Sequence, residues 1–179
     1  NEDNQKFQLR EDIQIKFLSR DDRTYFDEYL ELRKDILTKR KDLEDILNLE
    51  SRYFLAILDG RIIGADCIVF RRTPLRGGFD LELILNDDQV YAFQFYVVPE
   101  YRGKGIGKYL KSYIIQFYRK QGYRYFISAI TSDSDRSIHI HTKHGYKKYL
   151  TITVVDQFFM KWHQFKRAKN TIREILTLK

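Results

Sequence analysis

Apolar and polar residues alternate across residues 13–18 (IQIKFL) with the period of two that marks a half-buried strand. Ser19 then stands where an N-cap would, with Asp22 three residues on as a weaker relative of the capping box. Phe26, Tyr29, Leu30, Arg33 and Leu37 follow at helical spacing, and a second short helix is expected over residues 42–49. Two apolar runs, YFLAIL and RIIGADCIVF, are joined by Asp59-Gly60, a dipeptide suited to the paired positive-φ positions of a tight hairpin. Residues 71–88 (RRTPLRGGFDLELILNDD) have no clean period and read as loop, edge strand or both. A strong strand resumes over residues 89–98 and stops at Pro99, which has no ladder donor to give.

Beyond the glycines of VVPEYRGKGIG, Ile106, Tyr109, Leu110, Tyr113, Ile114 and Phe117 trace one face of an amphipathic helix, with Gly122 placed as its C′ residue. Residues 123–131 read as a strand, and Ser132 or Ser134 caps a short helix ending near Gly145. Another strand is expected over residues 146–155. Phe158, Met160 and Trp162 fall on one face of a last strand, and residues 170–178 read as helical. The order β-αα-β-β-β-α-β-α-β-β predicts an α/β (α+β) fold, a mixed sheet with helices on both faces. At 179 residues the chain is read as one domain, with 1–11 a flexible tail and 166–179 a C-terminal helical extension.

Composition adds limits. Apolar residues make up 43% and charged residues 32%, the balance of a globular protein rather than a disordered one. Cys67 is the lone cysteine, so no internal disulfide can form and a reducing, cytoplasmic setting is expected. No apolar run approaches the about 20 residues that span a bilayer. The first residues, NEDNQKFQLRED, carry no hydrophobic segment of the signal-peptide kind, and the lack of an initial methionine reads as trimming or excision from something longer. The net charge is +7, and the excess is local: Arg102, Lys104, Lys108, Lys111, Arg119, Lys120 and Arg124 stand against Glu100 alone between Pro99 and Tyr125. Such a field draws phosphates, nucleic acid or an acidic surface. Nucleic acid ranks low, because no recognised binding motif accompanies the charge.

A strand, a basic glycine turn and a helix in direct succession suit an anion. The first helical amides lack intrahelical partners and the helix dipole is positive at that end, so a phosphate is favoured there. The spacing Gly103, Gly105, Gly107 excludes both GxxxxGK[ST] and GxGxxG, yet Arg102, Gly105 and Gly107 satisfy [RQ]xxGx[GA].

On these residues the chain resembles the GNAT superfamily of acyl-coenzyme A-dependent N-acetyltransferases, over roughly residues 13–165. The resemblance implies a mostly antiparallel sheet of about seven strands, splayed between the fourth and fifth, with Pro99 removing a ladder donor where they part. It implies acetyl-coenzyme A as co-substrate, its pyrophosphate at Arg102, Gly103, Lys104, Gly105, Ile106, Gly107 and Lys108, and its pantetheine against the main chain of Val97 and Val98. The segment SDRSIHIHTKHGYKK is similar to the family's second motif, N-x-x-A-x-x-x-Y-x-K-x-G-F. Ser134 takes the Asn position and Ser137 the Ala position, so both are expected beside the cofactor, with Lys143, Gly145 and Tyr146 in register. His141 replaces the tyrosine that usually protonates the departing thiolate. It either acts as that acid or only packs beside the pantetheine.

An alkyl ammonium titrates near about 10.4, so a base is needed at neutral pH. Where the family often places a strand glutamate, this chain has Tyr91, Ala92, Phe93 and Gln94. Gln94 is read as orienting the acceptor but cannot take its proton; Glu82, Asp87 and Asp88 are the remaining acids nearby. The other histidines, His139, His144 and His163, do not have metal-ligand spacing, and no metal is expected. Cys67 reads as a small buried residue, and Phe158, Phe159, Trp162 and Phe165 as core packing. The expected acceptor is a primary amine of a small molecule or peptide, handled by a monomer or homodimer. Transfer of longer acyl chains and a non-catalytic coenzyme A-binding module are the alternatives.

Overall fold

The computed structural model describes residues 12–37, 39–48, 50–74, 82–130, 132–157, 160–167 and 177–178. The chain enters through β1 (Gln14–Phe17) and two helices, α1 (Arg23–Leu32) and α2 (Arg40–Asn48). Asp22 is the N-cap of α1, accepting the Tyr25 amide at 3.4 Å, while Ser19 caps nothing and instead accepts the Asp21 amide. The strands β2 (Ser51–Leu58) and β3 (Arg61–Val69) form the expected hairpin, its corner residues Asp59 and Gly60 at φ 49° and 75°. Two short strands, β4 (Arg72–Pro74) and β5 (Glu82–Ile84), arise from the aperiodic stretch. The long β6 (Gln89–Val97) leads through a 3-10 turn, Pro99–Tyr101, into α3 (Ile106–Arg119). Then come β7 (Tyr125–Ile127), α4 (Asp135–Lys143), the hairpin β8 (Leu150–Gln157) and β9 (Met160–Arg167), and β10 (Thr177–Leu178).

The main sheet has five strands in the order β1-β2-β3-β6-β7, antiparallel except for β6 beside β7. Both its faces are apolar, because β2 and β3 alternate buried residues in both directions. Tyr53, Leu55, Ile57, Cys67 and Val69 meet Phe26 and Tyr29 of α1 and Leu43 and Ile46 of α2. On the other face Phe54, Ala56, Ile63, Ile68, Val90 and Ala92 meet Ile106, Leu110, Ile114 and Tyr118 of α3. Each buried side chain of this size contributes about 1.5–3 kcal/mol, so the two-sided core places α3 firmly over β3 and β6.

Two expectations change. Among the described residues the about seven strands of one sheet are ten strands in three sheets, since β4, β5 and β10 form a separate sheet and β8 pairs with β9. The expected C-terminal helix is not found at residues 177–178, which instead pair as β10 with Ile84 and Leu83; residues 168–176 lie outside the described residues. Gly122 ends α3 as the expected C′ residue, at φ 93°, with its own amide on the Arg119 carbonyl and the Tyr123 amide on the Tyr118 carbonyl, both at 3.1 Å.

Candidate active site

The strands that part are β6 and β7, the fourth and fifth if the two short strands are set aside. They pair as Gln89↔Tyr125, Val90↔Phe126 and Tyr91↔Ile127, and no further. The next β6 carbonyl, Ala92 O, accepts the Ser128 hydroxyl at 3.0 Å in place of a β7 amide. From Phe93 to Val97 the strand that pairs with β6, among the described residues, is β3 alone. Pro99 is therefore not the cause of the opening, because it lies well beyond the last paired residue and starts the 3-10 turn. The cause lies in β6. Its register with β3 jumps from Cys67↔Phe93 to Ala65↔Tyr96, so Asp66 alone faces Gln94 and Phe95 in a β-bulge that bends the strand.

At the open end stands the glycine loop. Gly105 is the N-cap of α3 in the left-handed region (φ 81°), and with no side chain it leaves the outward face of the first turn uncovered. A Cβ added at Gly103 or Gly105 would meet no atom within 4 Å, so both positions open onto free space. Gly107 is different in kind. Its Cβ would stand 2.9 Å from Phe95 Cζ and 3.5 Å from Val97 Cγ2, so this glycine lets the helix lie on β6. The Arg102 Nε donates to the Val97 carbonyl at 2.8 Å, folding that side chain back over the end of β6. Lys104 and Lys108 are exposed on the rim. The main chain of Val98 is used inside the protein, its N–H by Ile63 O at 3.0 Å and its carbonyl by the Tyr101 amide at 2.9 Å. Of the main-chain groups of Val98, the N–H is thus taken, and the second lone pair of the carbonyl is what it has left for a ligand.

Ser134 is the N-cap of α4 by position, with no capping hydrogen bond from its side chain. Ser137 contributes its carbonyl, which lies 2.8 Å from His141 Nδ1. A carbonyl only accepts, so Nδ1 carries the proton and the neutral ring presents Nε2 as a lone pair. His141 is buried, and burial first, then the Lys111 ammonium, brings its pKa down from 6.5 to about 4. At neutral pH this ring has no proton to give from Nε2, which corrects the reading of His141 as an acid.

Tyr146, packed edge-on against His141 with ring centroids 4.9 Å apart, is the residue the sequence reading passed over. Burial and the nearby Asp66 carboxylate push its phenol well above the usual range, and its hydroxyl bonds to Ser128. Since Ser128 donates to Ala92 O, Tyr146 donates to Ser128, and the chain Tyr146–Ser128–Ala92 closes the apex of the gap. On the opposite face Tyr91, with its pKa raised to about 12 by burial, bonds the main chain of Ala129.

Gln94 holds φ 59° at the bulge. Its Oε1 accepts the Tyr53 hydroxyl, its carbonyl accepts Arg33 Nη1 at 3.3 Å, and its Nε2 is buried with no partner. These contacts make it a strut of the bulge. The acids named as alternative bases stand elsewhere. Asp87 and Asp88 form the turn before β6, about 27 Å of strand from Val97, and Glu82 pairs with Arg72 at 3.4 Å. On the α1 face Asp35 is bound to Arg33 through both oxygens, and Glu28, which lines a cavity with Val98, Tyr101 and Lys104, accepts the Ile62 amide at 2.8 Å.

A parallel strand pair that opens into a gap, with a glycine-lined helix start at its mouth, defines a class of α/β transferases built to receive an extended, phosphate-bearing co-substrate. The chain belongs to the acetyltransferase (GNAT) family, whose model matches residues 10–146. Among solved structures it is similar to the aminoglycoside acetyltransferase AAC(6')-Iy in complex with a coenzyme A bisubstrate analogue (20% identity, TM-score 0.62, 82% of this chain and 98% of that one). It is also similar to AAC(6')-IG from Acinetobacter haemolyticus (17% identity, TM-score 0.62, 82% and 99%) and to an acetyltransferase from Trypanosoma brucei (18%, 0.59, 82% and 100%). No curated protein sequence matches the chain.

Proposed function

We propose that this chain transfers an acetyl group from acetyl-coenzyme A to a primary amine of a small molecule by direct attack. The observation that carries this is the opening of β6 from β7 directly beneath the first turn of α3. The residues fit the co-substrate: Gly103 and Gly105 border empty space where an anion can approach main-chain amides, and Lys104 and Lys108 add positive charge at the rim. Arg102 holds the Val97 carbonyl, so a pantetheine arm seated along β6 meets Arg102 as well as the strand. When bound, acetyl-coenzyme A supplies an activated thioester.

The chain's own groups then divide the work. The unpaired stretch of β6 holds the thioester beside its exposed main chain. The Tyr146 hydroxyl, kept protonated by burial and resting on Ser128, turns its one O–H from Ser128 to the departing thiolate as the proton source at the apex of the gap. His141, neutral and aprotic at Nε2, packs against that phenol and fixes its ring. The amine arrives from the α1 face, past Tyr96 and Arg33, and loses its proton to water.

The test is thiol release from acetyl-coenzyme A across a panel of amino acids, polyamines, aminoglycosides and peptides. Aminoglycosides enter the panel because a similar structure is that of an aminoglycoside acetyltransferase in complex with sisomicin (18% identity, TM-score 0.58). Saturable release with one amine class supports the proposal. Silence across the panel with coenzyme A bound tightly would overturn it in favour of a non-catalytic binding module, and release only with longer acyl donors would move it to another acyl chain.

A further inference from the structure

Beneath the β6 bulge lies a fully buried ion pair that the reaction above does not use. Lys111 Nζ of α3 stands 3.0 Å from Asp66 Oδ2 of β3, with side-chain exposures of 2% and 0%. Two apolar residues would fill this space at no loss of stability, because desolvating both charges consumes most of their attraction. What an apolar pair lacks is direction. Asp66 is the residue that faces the two bulged positions. The Lys111 ammonium also lies 4.7 Å from the centroid of the Phe95 ring, the second bulged residue, and 6.0 Å from that of Tyr146. Phe95 is in turn pressed against the start of α3 at Gly107.

From the other face Tyr53 and Arg33 hold the first bulged residue, Gln94, by its side-chain and main-chain oxygens. Gln94 sits in the left-handed region, a conformation a non-glycine residue keeps only when its surroundings over-determine it. The bulge is therefore gripped on both sides of the sheet, and the grip on the α3 side is ionic.

We propose that Asp66 and Lys111 are positioning residues, a buried charge clamp that locks the β6 bulge and so holds the open stretch of β6 from Phe95 to Val97 in a single, ligand-ready conformation. The kinetic part of this inference rests on the acetyl-transfer reading; the conformational part does not. Asp66→Asn combined with Lys111→Met removes both charges at near-constant volume, where either change alone strands a buried charge. Amide hydrogen exchange by NMR on the ligand-free variant is expected to quicken at least tenfold at residues 93–96 while the β2 and β3 amides keep their rates. Unchanged exchange at the bulge, or equal acceleration across the whole main sheet, would overturn the clamp and leave an ordinary core pair.

In turnover, kcat is expected to fall at least tenfold with the KM for acetyl-coenzyme A unchanged, and a rise in KM alone would overturn the positioning role. If the wild-type protein acetylates no amine, the acetyl-transfer reading fails and the exchange measurement still decides the clamp. Phe95→Leu keeps the ion pair but removes the ring it grips, and covers the case in which the double variant does not fold. It too should quicken exchange at residues 93–96, and wild-type protection there would overturn the proposal.

Discussion

Gly105 and Gly107 are two residues apart in one motif, yet they owe their identity to different forces, and substitution separates them. At Gly107 an alanine Cβ would be 2.9 Å from Phe95 Cζ, against a comfortable carbon–carbon separation of about 3.5–4.0 Å. The ring cannot simply retreat, because the Lys111 ammonium stands 4.7 Å from its centroid. Overpacking of this kind costs about 1–3 kcal/mol, and alanine's better helix propensity returns at most about 1 kcal/mol, less in a first turn. Gly107→Ala is thus expected to destabilise the protein by about 1–2 kcal/mol. For a chain of this length that lowers Tm by about 2–8 °C. At Gly105 no atom lies within 4 Å, and the obstacle is φ 81°. Gly105→Ala costs about 1–2 kcal/mol in backbone strain, while Gly105→Asn, which tolerates the left-handed region, should recover most of it. Gly107→Asn should recover nothing. Urea unfolding followed by far-UV circular dichroism measures all four, and coenzyme A titration reports the loop. A Gly107→Ala variant as stable as wild type, or one rescued by asparagine, would refute the packing argument.

Other expectations concern the pocket. His141, with its pKa lowered to about 4, binds fewer protons than the unfolded chain between about pH 4 and 6.5, so its contribution to stability rises with pH over that window and is lost on acidification. The ceiling is about 3 kcal/mol, and relaxation around the charged ring takes back part of it; an imidazole resonance titrating at 6.5 by NMR would contradict this. Tyr146→Phe should lower turnover about 10–100-fold with little change in coenzyme A affinity, since it removes the proton donor and keeps the ring; unaltered kcat would dismiss the acid role. Ser128→Ala should lower turnover less, because it frees the Tyr146 hydroxyl without removing it. With water as the proton acceptor, kcat/KM for the amine should rise about tenfold per pH unit up to the amine's own pKa; a break that stays fixed when amines of different pKa are compared would reveal an internal base.

Much of this architecture is written in local pattern. The Asp59-Gly60 hairpin, the amphipathic face of α3 and the glycine loop all follow from spacing and turn chemistry, since each depends on residues close in sequence. The short strands β4, β5 and β10 are not legible, because three or fewer residues carry no period and their pairing is with distant chain. The bulge escapes for the same reason: FQF reads as uninterrupted strand, and only the register against β3 shows an extra residue. A signal for the buried ion pair does exist. Asp66 interrupts the apolar run RIIGADCIVF, and Lys111 stands among the apolar residues of α3, but nothing in either segment says that the two meet. Tyr146 was hidden by the motif itself, which expects an apolar ring at that position. The two readings of His141 could not be separated in the sequence because its tautomer depends on the Ser137 carbonyl one helical turn back.

The two faces of the sheet carry different polar groups, and under the proposed reaction they take different parts. On the α3 face the polar groups Lys111, Asp66, His141, Tyr146 and Ser128 gather around the closed end of the gap, every one of them tied to another group or ring of the protein. There a thiolate emerging between β6 and β7 would meet a phenol held protonated. On the α1 face the walls are Tyr91 and Phe93, stacked at 5.9 Å, and Tyr96 under the Arg33 guanidinium at 4.6 Å. Asp35 there is held by Arg33 through both oxygens, and Glu28, which lines a cavity with Val98, Tyr101 and Lys104, accepts the Ile62 amide at 2.8 Å. A face of rings and a neutralised arginine attracts the apolar body of an acceptor and gives a cationic head little to bind. Such a surface favours an amine that arrives neutral, and it makes the ionisation of the free amine, rather than of any residue, the quantity that sets the rate below the amine's pKa.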